Sequence, residues 1–240
     1  MHEQLSFSKG LTDGLPICLG YLSVSFTFGM MASEGGLPVW IAVLISMTNL
    51  TSAGQFAGTA LILSGAAFVE IAVTTFVINI RYMLMSLSLS QKVDERMTMV
   101  QRMVLSFAVT DEIFAVAMQQ HGTLNARYLA GLMATPFLGW QLGTFLGAAA
   151  TGFLPFSVRS ALGIAIYGMF IAIVVPPATT SRAIAFTVAV AAGLSCLFRW
   201  VPVLNTVSSG WVIIVCAVAA SAAAAWLFPV HDAEDEEDAG

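Results

Sequence analysis

Ile78-Asn79-Ile80-Arg81-Tyr82 lies deep inside an apolar run that extends from Ala66 to Leu89. An asparagine and an arginine two residues apart would be ordinary in a loop. Among Val, Ile, Phe, Leu and Met they are expensive, because insertion scales put an arginine at the centre of a membrane helix at about 2.5–3.5 kcal/mol. Such a group persists where it faces a bundle interior or a water-filled path and has partners there. The fold and the function both turn on what those partners are.

The surrounding chain tells what solvent Arg81 avoids. Of 240 residues, 58% are hydrophobic and 10% charged, and the mean hydropathy is +0.86. Soluble domains carry about 25% charged residues, so the solvent here is largely lipid. A helix of about 20 residues crosses a hydrocarbon core of about 30 Å. A β-barrel would need short strands alternating apolar and polar residues, whereas these runs are apolar all round. The expected class is an all-α membrane protein, a polytopic helical bundle. Residues 1–14 are polar and lead straight into further spans, so no cleavable signal peptide is expected.

Working outward, the expected spans are Leu15–Ser33, opened by Pro16 at a first-turn position, then Val39–Leu63 and Ala66–Leu89. Beyond these come Leu129–Phe153, Phe156–Val175 stopped by Pro176-Pro177, Ala183–Phe198 and Trp211–Phe228. The middle of Val39–Leu63 is unusual, with Thr48, Asn49, Thr51, Ser52, Gly54, Gln55, Gly58 and Thr59 close together. Gly54-x-x-x-Gly58 fits tight helix packing. A broken helix whose backbone lines a cavity fits equally well. Gln91–Arg102 is charge-dense and reads as an amphipathic surface helix, and Val104–Met118, with Thr110-Asp111-Glu112 at its centre, is barely long enough to span.

The two halves resemble each other. Gly10-Leu11, Pro16, Gly20, Phe26 and Leu37-Pro38 line up in order with Gly131-Leu132, Pro136, Gly139, Phe145 and Leu154-Pro155, and Arg81-Tyr82 lines up with Arg199-Trp200. This divides the chain into a polar segment (1–14), a first three-span repeat (15–90), and an amphipathic helix with a short Thr-Asp-Glu helix (91–127). A second three-span repeat (128–201), a last span (202–229) and a disordered acidic tail (230–240) follow. If 104–118 only dips into the membrane there are seven spans and the repeats are inverted; if it crosses there are eight and they are parallel. The dip places Lys92, Arg96, Arg102, Arg127 and Arg182 inside against Lys9 and Arg159 outside, the better fit to the positive-inside rule. Seven spans, an external N-terminus and a cytoplasmic tail are therefore expected.

Asp111 and Glu112 are the natural partners of Arg81, since a guanidinium binds a carboxylate bidentately. Adjacent helical residues point about 100° apart, so one acid can hold Arg81 while the other carries a proton; a purely structural clamp is the alternative. Gln55 and Asn79 offer uncharged amides suited to an α-ammonium and α-carboxylate, or to interhelical hydrogen bonds. Glu70 reads as interfacial, and Arg199 as snorkelling. The ladder Gly139, Gly143, Gly147 is suited to close packing, between the repeats or against another subunit. Cys18, Cys196 and Cys216 sit singly, and His2, His121 and His231 show no metal-ligand spacing. No nucleotide-binding or hydrolase motif is present, so no cofactor, metal or catalytic residue is expected. The acidic tail argues against nucleic acid.

Ser52-Ala53-Gly54-Gln55-Phe56, Asn79-Ile80-Arg81-Tyr82-Met83 and Thr110-Asp111-Glu112, with Gly10, Pro16, Gly20 and Phe28-Gly29, resemble the AzlC family over most of residues 8–225. The first span reads Phe26-Thr27-Phe28-Gly29 where that family commonly has Pro-Phe-Gly. The resemblance implies the large subunit of a two-component exporter of valine, leucine and isoleucine in the prokaryotic cytoplasmic membrane. It also implies a small hydrophobic AzlD-type partner and use of the proton motive force. On this reading Ser52, Gly54, Gln55, Asn79 and Arg81 bind the amino acid, and Arg81, Asp111 and Glu112 couple its export to protons. A pore or a structural subunit without coupled transport is the other class the residues allow.

Overall fold

Ser6 accepts the Lys9 N–H and so sets the start of the first helix, α1 (Phe7–Glu34). In the computed structural model, which describes residues 5–229 and only the backbone at 156, 159, 162, 163, 165, 166, 169, 170, 172 and 173, ten α-helices follow one another. These are α1, α2 (Val39–Thr48), α3 (Ser52–Leu63), α4 (Phe68–Ser90), α5 (Met99–Ser106), α6 (Asp111–Gln119), α7 (Ala126–Ala150), α8 (Phe156–Thr180), α9 (Arg182–Trp200) and α10 (Ser209–Leu227). The protein is an all-helical membrane protein, and α1, α4, α9 and α10 are each long and apolar enough to cross a bilayer. Large apolar side chains such as Trp40, Phe68, Phe76, Leu87, Phe153 and Trp226 stand outward.

Several expected boundaries move. α1 begins at Phe7 rather than Leu15, which places Pro16 inside the helix. Likewise α8 runs through Pro176 and Pro177 to Thr180. Residues 91–98 are not an amphipathic helix: Lys92 and Asp94 exchange backbone hydrogen bonds with Leu124, and helix returns only at Met99 behind the Thr98/Gln101 capping box. The acidic tail and the first four residues lie outside the described residues.

The chain forms two units, one of residues 1–64 and 78–166 and the other of 65–77 and 167–240. The first is built on α1 and α7, which pack along their whole length through glycine. A Cβ at Gly10 would strike the Tyr128 carbonyl and Leu132 N, one at Gly139 would lie 2.9 Å from the Cys18 carbonyl, and one at Gly147 would overlap the Phe26 carbonyl. Backbone therefore touches backbone, the arrangement that small residues permit in membranes. The ladder Gly139, Gly143, Gly147 is spent on α1 and is not a surface for another chain.

Contacts climb together along both helices, from Gly10 on Gly131 to Gly29 on Thr144 and Ala148, so α1 and α7 run parallel. This corrects the expected inversion: helices that open inverted repeats would run in opposite directions.

The expected second span is no single crossing helix. α2 descends from the turn at Gly35-Gly36, breaks at 49–51, and α3 climbs back until the Leu63 side chain fills the space beside Gly35. Phe28 meets Phe56 edge-on at 5.5 Å on the way up. A second hairpin enters from the opposite end. α5 rises from Met97, Phe107 reaches Phe137 with ring centres 6.5 Å apart, and α6 descends until the Met118 carbonyl accepts Lys92 Nζ at 2.6 Å. Full-length helices therefore number six, α1, α4 and α7–α10, rather than seven.

In the second unit, α9 and α10 lie antiparallel, with Phe186 near the start of one 5.7 Å from Phe228 past the end of the other. Glu70, in the first turn of α4, is buried here. Its carboxylate accepts the Ser208 hydroxyl and, at 3.1 Å, the Gly210 N–H, covering the N-terminus of α10. Arg199 occupies the last turn of α9, where its charge suits the helix dipole.

Candidate functional site

Both hairpin tips stop at the same depth. Tyr21 is 14 residues into α1, about 21 Å along a helix of about 42 Å. Its ring meets Trp140 of α7 edge-on at 5.1 Å. Tyr21 Oη lies 2.6 Å from Thr110 Oγ1 and 2.5 Å from Glu112 Oε2, at the tip of the lower hairpin. Its one proton serves one acceptor at a time, and the carboxylate is the stronger. Trp140 Nε1 donates to Gln55 Oε1 at 3.1 Å, tying the upper hairpin to the same point. One aromatic pair on the rigid α1–α7 body thus holds both tips.

Gln55 is almost wholly buried, and both ends of its amide are hydrogen-bonded. Nε2 donates to Ser46 Oγ at 2.5 Å, Ser46 shares a 2.7 Å hydrogen bond with Thr144, and Gln141 Nε2 donates to the Ser46 carbonyl at 3.1 Å. This network locks α2, α3 and α7 together and engages one donor and one acceptor site of the Gln55 amide. Gln55→Leu is expected to strand the Trp140 N–H, while Ser46 keeps its hydrogen bond to Thr144. Each buried group left unpaired costs about 1–3 kcal/mol. Thermal unfolding in detergent checks this: a lowered midpoint is expected, where a ligand-only role would leave it unchanged.

Around Ser52 the situation is the reverse. The first N–H groups of α3 have no intrahelical acceptor, and its N-cap Thr51 makes no side-chain capping bond. Thr51 Oγ1, Ser52 Oγ and Asn79 Oδ1 are buried with no hydrogen-bond partner. Thr51 and Asn79 converge on Gly54, where a Cβ would lie 2.5 Å from Thr51 Oγ1, 2.6 Å from Asn79 Oδ1 and 2.8 Å from Asn79 Nδ2. Gly54 therefore lets the polar side chains of Thr51 and of Asn79 on α4 approach the α3 backbone closely. α6 differs, because Thr110 caps it by accepting the Ile113 N–H and Asp111 and Glu112 fill its first turn.

α4 runs between the two tips and serves both. Asn79 reaches the start of α3. Arg81 Nη2 lies 2.9 Å from Asp111 Oδ2 and donates to Tyr82 Oη at 3.1 Å, while its guanidinium stands 5.0 Å over the Tyr82 ring. Arg81 Nε is buried and unpartnered. The ion pair remains about 40% exposed, 42% for Arg81 and 39% for Asp111, and Glu112 is exposed apart from the oxygen near Tyr21. Charged groups at such depth face water or protein, not lipid. The structure thus brings Ser52, Gly54 and Asn79 together at one tip and Arg81, Asp111 and Glu112 at the other. Sequence reasoning missed Tyr21, Trp140 and Ser46; the two aromatics carry a polar group within an apolar run, which is the signal available.

The uncapped helix end beside the unpartnered Asn79 amide oxygen and the Arg81–Asp111 ion pair are both borne on α4 and its neighbours. Residues 16–154, more than half the chain and all of this site, match the family described as AzlC protein. The chain belongs to the AzlC family. Its members are membrane proteins associated with branched-chain amino acid transport, not a known enzyme family. Among AzlC relatives, the chain is 27% identical over 197 residues to the inner membrane protein YgaZ of Escherichia coli, covering 79% of this chain and 80% of that protein. It is 33% identical over 181 residues to a membrane protein of Archaeoglobus fulgidus, covering 73% and 78%. It is 25% identical over 166 residues to one of Helicobacter pylori, covering 66% and 71%. No solved structure matches.

Proposed function

We propose that this AzlC protein exports aliphatic amino acids, valine, leucine and isoleucine, across the cytoplasmic membrane, driven by protons and working with a small AzlD-type subunit. The observation that carries the reading is the set of unpartnered buried polar atoms at Thr51, Ser52 and Asn79, gathered at an uncapped helix N-terminus. Such an end binds an anion through backbone N–H groups and dipole, which suits an α-carboxylate. Asn79 Oδ1 is the acceptor for the ammonium. Gln55 holds this cradle in place rather than touching the cargo.

Glu112 is the proton-carrying acid in this scheme, since Asp111 is engaged by Arg81 while Glu112 is exposed and meets only Tyr21. Cargo that draws Arg81 from Asp111 alters the charge beside Glu112, and proton movement follows cargo movement. The test is efflux of labelled leucine from proteoliposomes. Gly54→Ala, whose methyl would occupy the space between Thr51 and Asn79, is expected to raise the half-saturating leucine concentration at least tenfold in folded protein. Unchanged saturation by leucine would remove the cradle from the transport path.

A further inference from the structure

Below the lower hairpin tip the first unit contains a partly open pocket of about 300 Å³ that the central site does not use. Its walls come from the end of α4, from α5 and from the first turns of α7. They include Met97, Met103 and Met133, with Ser86 to one side and the tip residue Val109 among the lining. The single charge on it is Arg102. That guanidinium is held in place, Nε donating to the Met97 carbonyl and Nη2 to the Asp94 carbonyl, each at 3.2 Å. Nη1 has no acceptor among the described residues, so a fixed cation stands over an apolar, thioether-lined space.

We infer that this pocket is a second binding site, for an aliphatic monocarboxylate of leucine's size, in which Arg102 takes the carboxylate and the methionines take the branched tail. The assignment of leucine as occupant rests on the proposed function. The volume is at the lower end of small-molecule sites, about 300–1,000 Å³, too small for a nucleotide cofactor. Unbranched, polarisable methionines re-pack around differing aliphatic shapes. A rigidly held guanidinium is the natural acceptor of a carboxylate. Val109 is adjacent to Thr110, which Tyr21 holds, so cargo seated here waits beside the hairpin that bounds the central site.

Ser86→Cys provides the probe: a small change on the pocket wall, in the full chain, read by its reaction with a small methanethiosulfonate in proteoliposomes, above the rate of the unsubstituted chain. Leucine is expected to slow modification at least fivefold, whereas glycine and leucinamide, lacking tail or carboxylate, leave it unchanged. Arg102→Gln is expected to abolish protection, and Asn79→Ala to retain it. Protection that survives Arg102→Gln, or vanishes in Asn79→Ala, overturns the inference. Absence of protection in a chain that exports leucine overturns this site alone, and absence of both protection and export overturns the proposed function with it. Modification slow in lipid, fast in detergent and indifferent to leucine identifies an acyl chain as occupant, and likewise overturns it.

Discussion

Arg81→Ala is expected to reduce leucine efflux to background, at least a hundredfold, and to lower the yield of folded protein. The substitution leaves Asp111 at mid-depth without the cation 2.9 Å away, and Glu112 beside it as a second acid. An unmatched charge within a span costs about 2.5–3.5 kcal/mol on insertion scales, equivalent to about a hundredfold in an equilibrium constant. Asp111→Ala is expected to lower the yield similarly, because Arg81 is then the unmatched charge. The double variant Arg81→Ala/Asp111→Ala separates the two roles of the pair. Removing both charges raises the folded yield above that of either single variant, measured by size-exclusion chromatography in detergent, because neither member of the pair is then left unmatched and Glu112 keeps its hydrogen bond from Tyr21. Efflux stays at background if Arg81 and Asp111 exchange partners with cargo. If the pair is only a clamp between α4 and α6, the double variant regains transport along with yield.

How far these residues could be read in advance depended on the kind of signal. Arg81, Asp111 and Glu112 stand out because charge inside apolar runs is rare and has few ways of being compensated. The membrane class follows from composition for the same reason. The path of the chain was harder. Val39–Leu63 has the length and hydropathy of a crossing helix, and nothing local in Asn49-Leu50-Thr51 requires a break, since neither glycine nor proline lies there. The break is held by distant partners: Gln55 on Ser46 and Trp140, Phe56 on Phe28, Leu63 against Gly35. Hydropathy records how apolar a segment is, not whether it turns back. Gln55 shows the same limit at the level of one side chain. An amide in a span announces a polar role, but only the positions of Ser46 and Trp140 reveal that the role is already filled. Pro16 was a weaker start signal, and Pro176 and Pro177 weaker stops, than expected because tertiary packing overrides a missing N–H.

Gly147→Ala is expected to destabilise the protein severely, and Gly20→Ala to leave it unchanged or slightly stabilised, although both glycines lie inside apolar helices. A Cβ at Gly147 would overlap the Phe26 carbonyl oxygen, and the atoms it meets next are Phe26 C and Cα, at 2.6 and 2.9 Å. All are backbone, so no rotamer change relieves the overlap. Relief requires α1 and α7 to separate, and their contact is continuous from Gly10 to Gly29. Overpacking ordinarily costs about 1–3 kcal/mol; here the rigid neighbours place the effect at about 3 kcal/mol. Separation also misplaces Tyr21 against Trp140, and with them both hairpin tips, so transport falls with stability. Gly20 has no atom within 4 Å of a new Cβ, and exchanging glycine for alanine in a helix contributes about 1 kcal/mol of propensity. Thermal unfolding of the two variants in one detergent makes the comparison. Equal midpoints would mean that α1 and α7 are not in backbone contact, and the rigid body assigned to carry the site would be lost.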